Sequence, residues 1–269
     1  MKANIYRHEF RTRSRSVIIW SLALVAITLV FFSIFPTFVD EAALFDEMLA
    51  NLPPELLAAF GMTGVNMSTV LGFYSFIFLF AQICLAIQAS YYGFGLVSIE
   101  ESELTADFLI SKPVSRTEIL TSKLLAALTC LAITNLALWL STFIAIAFFG
   151  GSRPYETRAL VLLLISGIIF QLFFLSVGLV VSLLVRRIRS VTPYALGLGF
   201  GMYVLSAFSG VGGVSILELI TPFKHFDPNT ILQQGGYDTP LVLLNVSVSL
   251  VSLVVSYWLY MRRDIPAVV

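Results

Sequence analysis

Charge is missing from most of this chain. Only 12% of its residues are charged, about half the share of a soluble domain. Six stretches carry no charge at all: 16–39, 56–99, 124–152, 159–185, 190–217 and 239–261. An ionisable group at a bilayer centre costs at least ~2.5–3.5 kcal/mol and marks a proton or ion path. Its absence argues against a proton-coupled carrier and against a channel with a charged filter. Histidine is nearly absent too. His8 and His225 stand far apart, there is no HExxH, and no histidine lies in an apolar run to activate a serine such as Ser209. None of the four lysines follows a glycine, so the chain has no phosphate-binding loop. The two cysteines, Cys84 and Cys130, sit inside apolar runs and form neither a disulfide framework nor a metal spacing. They read as small buried hydrophobes. Catalysis by this chain, a cofactor or metal bound to it, and a nucleic-acid partner are therefore not expected.

Hydrophobic residues make up 58% of the sequence, with 23 phenylalanines. A helix needs about 20 apolar residues to cross a ~30 Å hydrocarbon core, and each of the six uncharged runs is long enough. A soluble fold would have to bury all six within 269 residues. The expected fold is all-α and polytopic, a single transmembrane domain over 1–269. Its lead-in covers 1–16, and its spans lie at about 17–38, 69–99, 120–149, 159–185, 191–209 and 240–261. The first apolar run continues to Ser33-Ile34-Phe35-Pro36 without a small-x-small cleavage site, so it reads as an uncleaved span rather than a signal peptide. The run 56–99 could hold two spans. Pro53-Pro54 and Gly61-Met62-Thr63-Gly64 break its first part, which favours one span.

The cations set an orientation. With the N-terminus inside, the inner segments hold Lys2, Arg7, Arg11, Arg13, Arg15, Lys112, Arg116, Lys123, Arg186, Arg187, Arg189, Arg262 and Arg263. The outer ones hold only Arg153, Arg158 and Lys224. Cytoplasmic flanks are rich in Lys and Arg, so both termini and residues 100–119 are expected in the cytoplasm. The outer segments 39–68 and 210–239 remain. The first carries Asp40, Glu41, Asp46, Glu47 and Glu55 without a cation, and reads as solvated surface more readily than as an attractor of cationic cargo.

Three features stand out inside this frame. The polar residues within the spans are Gln82, Gln88, Asn135, Gln171 and Asn245. They serve either helix–helix hydrogen bonding, at ~1 kcal/mol each, or the lining of a substrate path. Gly197 and Gly201 form a GxxxG pair, which suits close packing within the subunit or a dimer seam. The inner segment starts acidic with Glu100, Glu101 and Glu103, as suits a helix N-terminus. Leu104, Phe108 and Leu109-Ile110 then give an apolar stripe at helical spacing. Pro113 ends the helix, and Val114-Ser115-Arg116 turns into the next span. A short amphipathic helix at 101–112 either packs on lipid or docks a soluble partner.

That last segment resembles the signature of ABC type-2 exporter permeases. The resemblance is carried by Glu101, Thr105, Leu109, Ser111, Pro113, Val114, Ser115, Arg116 and Lys123, with Leu104 standing where the family usually has glycine. Glu9-Phe10-Arg11-Thr12-Arg13 is similar to the family's N-terminal opening, and Thr221-Pro222-Phe223-Lys224-His225-Phe226-Asp227 to a stretch before its last span. The resemblance implies a multi-pass subunit of a prokaryotic plasma membrane. It implies a second permease subunit, identical or related, and two copies of a separate cytoplasmic ATPase that hold the ATP and Mg. It also implies ATPase docking through Glu100, Glu101, Glu103, Leu104, Thr105, Phe108, Leu109, Pro113 and Arg116. Two other readings use the same six-span body: a non-transporting sensor or assembly factor, and a secondary carrier.

Overall fold

The computed structural model describes residues 3–62, 64–102, 114–185, 188–212 and 215–262. Six long helices carry the fold: α1 (Ala3–Ser33), α5 (Val70–Ser102), α6 (Arg116–Phe149), α7 (Thr157–Leu184), α8 (Val191–Gly212) and α12 (Thr239–Arg262). Each is long and apolar enough to cross a bilayer. Among the described residues six shorter helices join them: α2 (Phe35–Asp40), α3 (Ala42–Ala50), α4 (Pro54–Ala59), α9 (Ser215–Ile220), α10 (Pro222–His225) and α11 (Pro228–Gln234). No strand occurs among the described residues. The protein is an all-α, multi-pass integral membrane protein.

The run 56–99 holds one span. Gly61 and Gly64 take positive φ values of 65° and 70°, a conformation open to glycine at little steric cost, and α4 is far too short to cross. The basic lead-in is not a separate element. It continues without a break into the first span as the 31-residue helix α1. At 1.5 Å per residue such a helix is about 46 Å long, so roughly a third of it projects beyond a ~30 Å hydrocarbon core.

α5 is the central helix. It packs most extensively on α7 and α8, while α1 lies along α6 and α12 along α7. The most apolar window of α5 is 67% buried, against 22% for α1 and 17% for α12. The two peripheral helices expose Ile18, Ile19, Leu22, Leu250, Val251 and Val254, the surface that lipid can cover. The start of α1 and the end of α12 lie at one end of the bundle, with the start of α6 and the end of α5. This is called the basic end here.

Candidate functional site

The basic end is built on charge that does not reach solvent. Glu9 projects from the part of α1 that precedes the apolar run. Arg13, one turn on, donates to its carboxylate, and Lys123 of α6 lies 3.7 Å from its other oxygen. Lys123 is only 2% exposed, and its ammonium also donates to the Leu96 carbonyl of α5 at 2.8 Å. Tyr6 adds a hydroxyl bond to Thr129 of α6 at 3.0 Å. The lead-in is thus bolted to two spans at once. Its other face presents Arg7, Arg11 and Arg15 to solvent, four residues apart, so these side chains stack on one stripe.

Ser115 caps α6. Its hydroxyl accepts from the Glu118 N–H at 3.2 Å, and the Glu118 carboxylate accepts in return from the Ser115 N–H. This capping box satisfies two otherwise orphaned donors. Arg116, expected to dock an ATPase, donates to the carbonyls of Tyr260 and Met261 at 3.4 and 3.2 Å. There it meets the negative end of α12 and fills acceptors that the helix leaves open. The other expected docking residues are placed differently. Glu100 and Glu101 lie in the last turn of α5, with side chains outside the described set. Glu103, Leu104, Thr105, Phe108, Leu109 and Pro113 lie outside the described residues altogether.

The expected polar residues of the spans divide into two groups. Gln88, Asn135 and Gln171 join one chain of side chains across the centre of the bundle. The Asn135 amide donates to Gln171, Gln171 to Gln88 at 3.3 Å, and Gln88 to Thr134 at 2.8 Å and to the Tyr92 hydroxyl at 3.4 Å. Tyr92 donates on to Ser16 of α1 at 3.3 Å. Four of the six spans are linked through it. Gln82 and Asn245 lie toward the opposite end instead, and both are fully buried.

That end is closed by the stretch from Thr221 to Asp227. Pro222 opens α10, and the Asp227 carboxylate caps α11 by accepting from Asn229 and Thr230. Phe223 packs edge-on against Phe170, at 5.0 Å between centroids, and against Phe174 and Tyr203. Gln82 donates to the Phe226 carbonyl at 2.9 Å. Asn245 lies 3.4 Å from Nδ1 of His225, whose Nε2 is 3.0 Å from the Leu219 carbonyl. Burial pushes the His225 imidazole below its ordinary value, against the smaller opposing effects of the Leu219 and Glu218 carbonyls and the Asp238 carboxylate. A group held neutral by the fold contributes stability that is full above its unfolded pKa of about 6.5, and this is lost as pH falls toward the lowered folded value. The apparent melting temperature of the detergent-solubilised protein should therefore decline as pH drops below about 6.5. His225→Gln should reduce that slope, and an unchanged slope would remove His225 as its source.

The glycines separate by face. A Cβ built on Gly197 or Gly201 meets nothing within 4 Å, whereas one on Gly199 would come 2.9 Å from the Ile87 backbone nitrogen. α8 thus packs on α5 through Gly199 and turns the GxxxG pair outward, beside the exposed Leu205 and Phe208. A tighter seam went unnoticed in the sequence. A Cβ on Gly93 of α5 would lie 2.4 Å from the Leu175 carbonyl oxygen of α7, and one on Gly178 would lie 3.2 Å from that of Ser90. The only sequence signal for it was small residues in both spans, Ser90 and Gly93 in one and Gly178 in the other.

Compared with known proteins, the chain matches the sequence model of one family, described as ABC-2 family transporter protein, over residues 3–265. No curated protein and no solved structure matches it.

Proposed function

The chain belongs to the ABC-2 transporter family, and from that premise we propose that it is the permease of an ATP-driven exporter whose ATPase is a separate cytoplasmic chain. The observation that carries this reading is the basic end. The chain has no phosphate-binding loop of its own. It does have a place where force on one short segment reaches most of the bundle. Residues 103–113 join the ends of α5 and α6, Lys123 ties those two helices to Glu9 of α1, and Arg116 ties α6 to the end of α12. A soluble subunit that seats on this segment and moves when it closes on ATP would displace α1, α5, α6 and α12 together. Nucleotide shifts the permease between states only through a difference in how the subunit binds each of them.

In this reading both termini and the segment 100–119 face the cytoplasm, and two permeases meet two ATPases that hold ATP and Mg. The outward glycine face of α8 is the proposed seam with the second permease, identical or related, because bare glycines let two helices approach closely. Glu101, Glu103, Leu104 and Phe108 supply the docking contacts. Arg116 acts beside them by holding α12.

The test is affinity purification from membranes at matched expression. The wild-type chain should bring down an ATPase and gain nucleotide hydrolysis with it. Phe108→Ala should weaken that association by about 2 kcal/mol, or roughly thirtyfold, as loss of a buried aromatic anchor does. Glu103→Ala, a rim charge, should change association less. Hydrolysis by the purified single chain would contradict the division of labour. Unchanged co-purification of Phe108→Ala and Glu101→Ala would move the docking role to the N-terminal helix.

A further inference from the structure

The outer face of α1 carries Arg7, Arg11 and Arg15 with no carboxylate to balance them. Glu9 is the only acidic residue before Asp40, and it is turned inward and shared between Arg13 and Lys123. No ion pair to the three outer arginines occurs among the described residues. The stripe is also held in its orientation. Glu9 is tied to Lys123 and Tyr6 to Thr129, both of α6, and Ser16 accepts from the Tyr92 hydroxyl of α5.

Past Arg15 the same stripe continues as Ile18 and Leu22, which are 58% and 63% exposed. One face of one helix therefore passes from guanidinium to bare hydrocarbon between Arg15 and Ile18, a rise of about 4.5 Å. The exposed isoleucine and leucine call for lipid tails, and a guanidinium is costly among them. On this face the edge of the hydrocarbon thus falls between the two. The headgroup layer beyond it is about 5–7 Å deep. Arg15 stands within that layer. Arg11 lies about 6 Å further along the helix, at its rim, and Arg7 about 12 Å further, in water.

We propose that this stripe binds a phospholipid of net negative charge in the leaflet at the basic end. Its phosphate accepts two parallel N–H bonds from the Arg15 guanidinium, and its tails lie on Ile18 and Leu22. A zwitterionic lipid offers the same phosphate but brings a cation of its own, which the neighbouring arginines repel. An acidic soluble partner fits less well, because the stripe runs into a tail-covered surface that such a partner does not reach. A basic residue near a membrane surface favours an acidic lipid by a factor of about five, and the effect fades over a screening length of ~8–10 Å. Arg15 therefore contributes most and Arg7 least. This inference rests on α1 being a membrane span and not on the proposed ATPase.

The test uses the full chain in lipid vesicles, without nucleotide or partner. Trp20, Trp139 and Trp258 are changed to Phe, and Leu22→Trp places a single indole on the stripe. The vesicles hold phosphatidylglycerol and phosphatidylcholine in equal parts, with bromine on the tails of one or the other as quencher. Comparing the two gives the preference of the site for the anionic lipid. It should be about tenfold at Leu22→Trp and absent at Val30→Trp, a similarly exposed position near the other end of the helix. Arg15→Gln should lower the preference about fivefold, Arg11→Gln about twofold and Arg7→Gln hardly at all. Arg15→Lys, which keeps the charge, should retain most of it. All these side chains are exposed, so the variants should melt with their parent. Excess glycerol phosphate, a headgroup without tails, should change nothing. Equal quenching by the two lipids at Leu22→Trp would overturn the proposal, and displacement by glycerol phosphate would replace it with a site for a soluble anion. The largest loss in Arg7→Gln would assign the stripe to an acidic soluble partner instead. A preference that survives the Arg11→Gln with Arg15→Gln double variant would belong to other cations and overturn it as well.

Discussion

Lys123→Met should destabilise the protein by about 3 kcal/mol, the lower end of what removing one partner of a buried ion pair costs. Methionine keeps the bulk of the lysine stem, so the loss is electrostatic rather than a cavity. The Glu9 carboxylate would keep Arg13 but lose the second cation that faces it across the helix interface. The Leu96 carbonyl would lose a charge-assisted donor. The check is the apparent melting temperature of the detergent-solubilised chain. The double variant Glu9→Gln with Lys123→Met should lose more still, because it strands the buried Arg13 guanidinium without its carboxylate. Equal loss in the single and double variants would assign the effect to packing. If the single variant is as stable as wild type, the triad contributes nothing to the fold. Because the triad joins α1, α5 and α6, the single variant should also loosen the lead-in, seen as faster proteolysis within residues 3–16.

Gly93→Ala should cost about 2–3 kcal/mol, at the upper end of overpacking in a close-packed interior. The added methyl would meet backbone atoms of Leu175 and Leu179, with the nearest at 2.4 Å, and backbone cannot rotate away as a side chain can. α5 and α7 would have to separate along the most buried contact of the bundle. Gly201→Ala is the control. It meets nothing within 4 Å and should leave the isolated subunit as stable as wild type or slightly more so, since alanine favours a helix over glycine by about 1 kcal/mol. Gly201→Leu should leave melting intact and reduce recovery of a differently tagged second copy. If Gly93→Ala melts with wild type, the close crossing of α5 and α7 is wrong. If Gly201→Leu assembles normally, the seam lies elsewhere.

The span count was legible in sequence because the signal is one-dimensional. Charge cannot be hidden in hydrocarbon at low cost, so its spacing along the chain marks where helices leave the membrane. The capped start of α6 was also readable, from Ser115 and the acidic residue three places on. The junction at Ser16 was not. A basic segment next to an apolar one reads as two elements, but a helix does not stop where polarity changes, and no proline or glycine stands between Arg11 and Leu24 to end it.

Roles that depend on which way a side chain faces were beyond the sequence. Gly197, Gly199 and Gly201 look alike in a string, yet only the middle one touches α5. Lys123 reads in the string as one more cation at the start of a span, yet its ammonium lies buried between Glu9 of α1 and the Leu96 carbonyl of α5. Arg116 stands in the segment that resembles the family's signature, yet its guanidinium is occupied with α12. The five amide residues were visible as a set. Which of them join and in which direction the bonds run depend on helix rotations of a few tens of degrees. In a bilayer those rotations are set by the packing of one apolar surface on another. Hydropathy determines that six helices must cross. It is nearly indifferent to which face of each one meets its neighbour, and only the packed tertiary structure decides that.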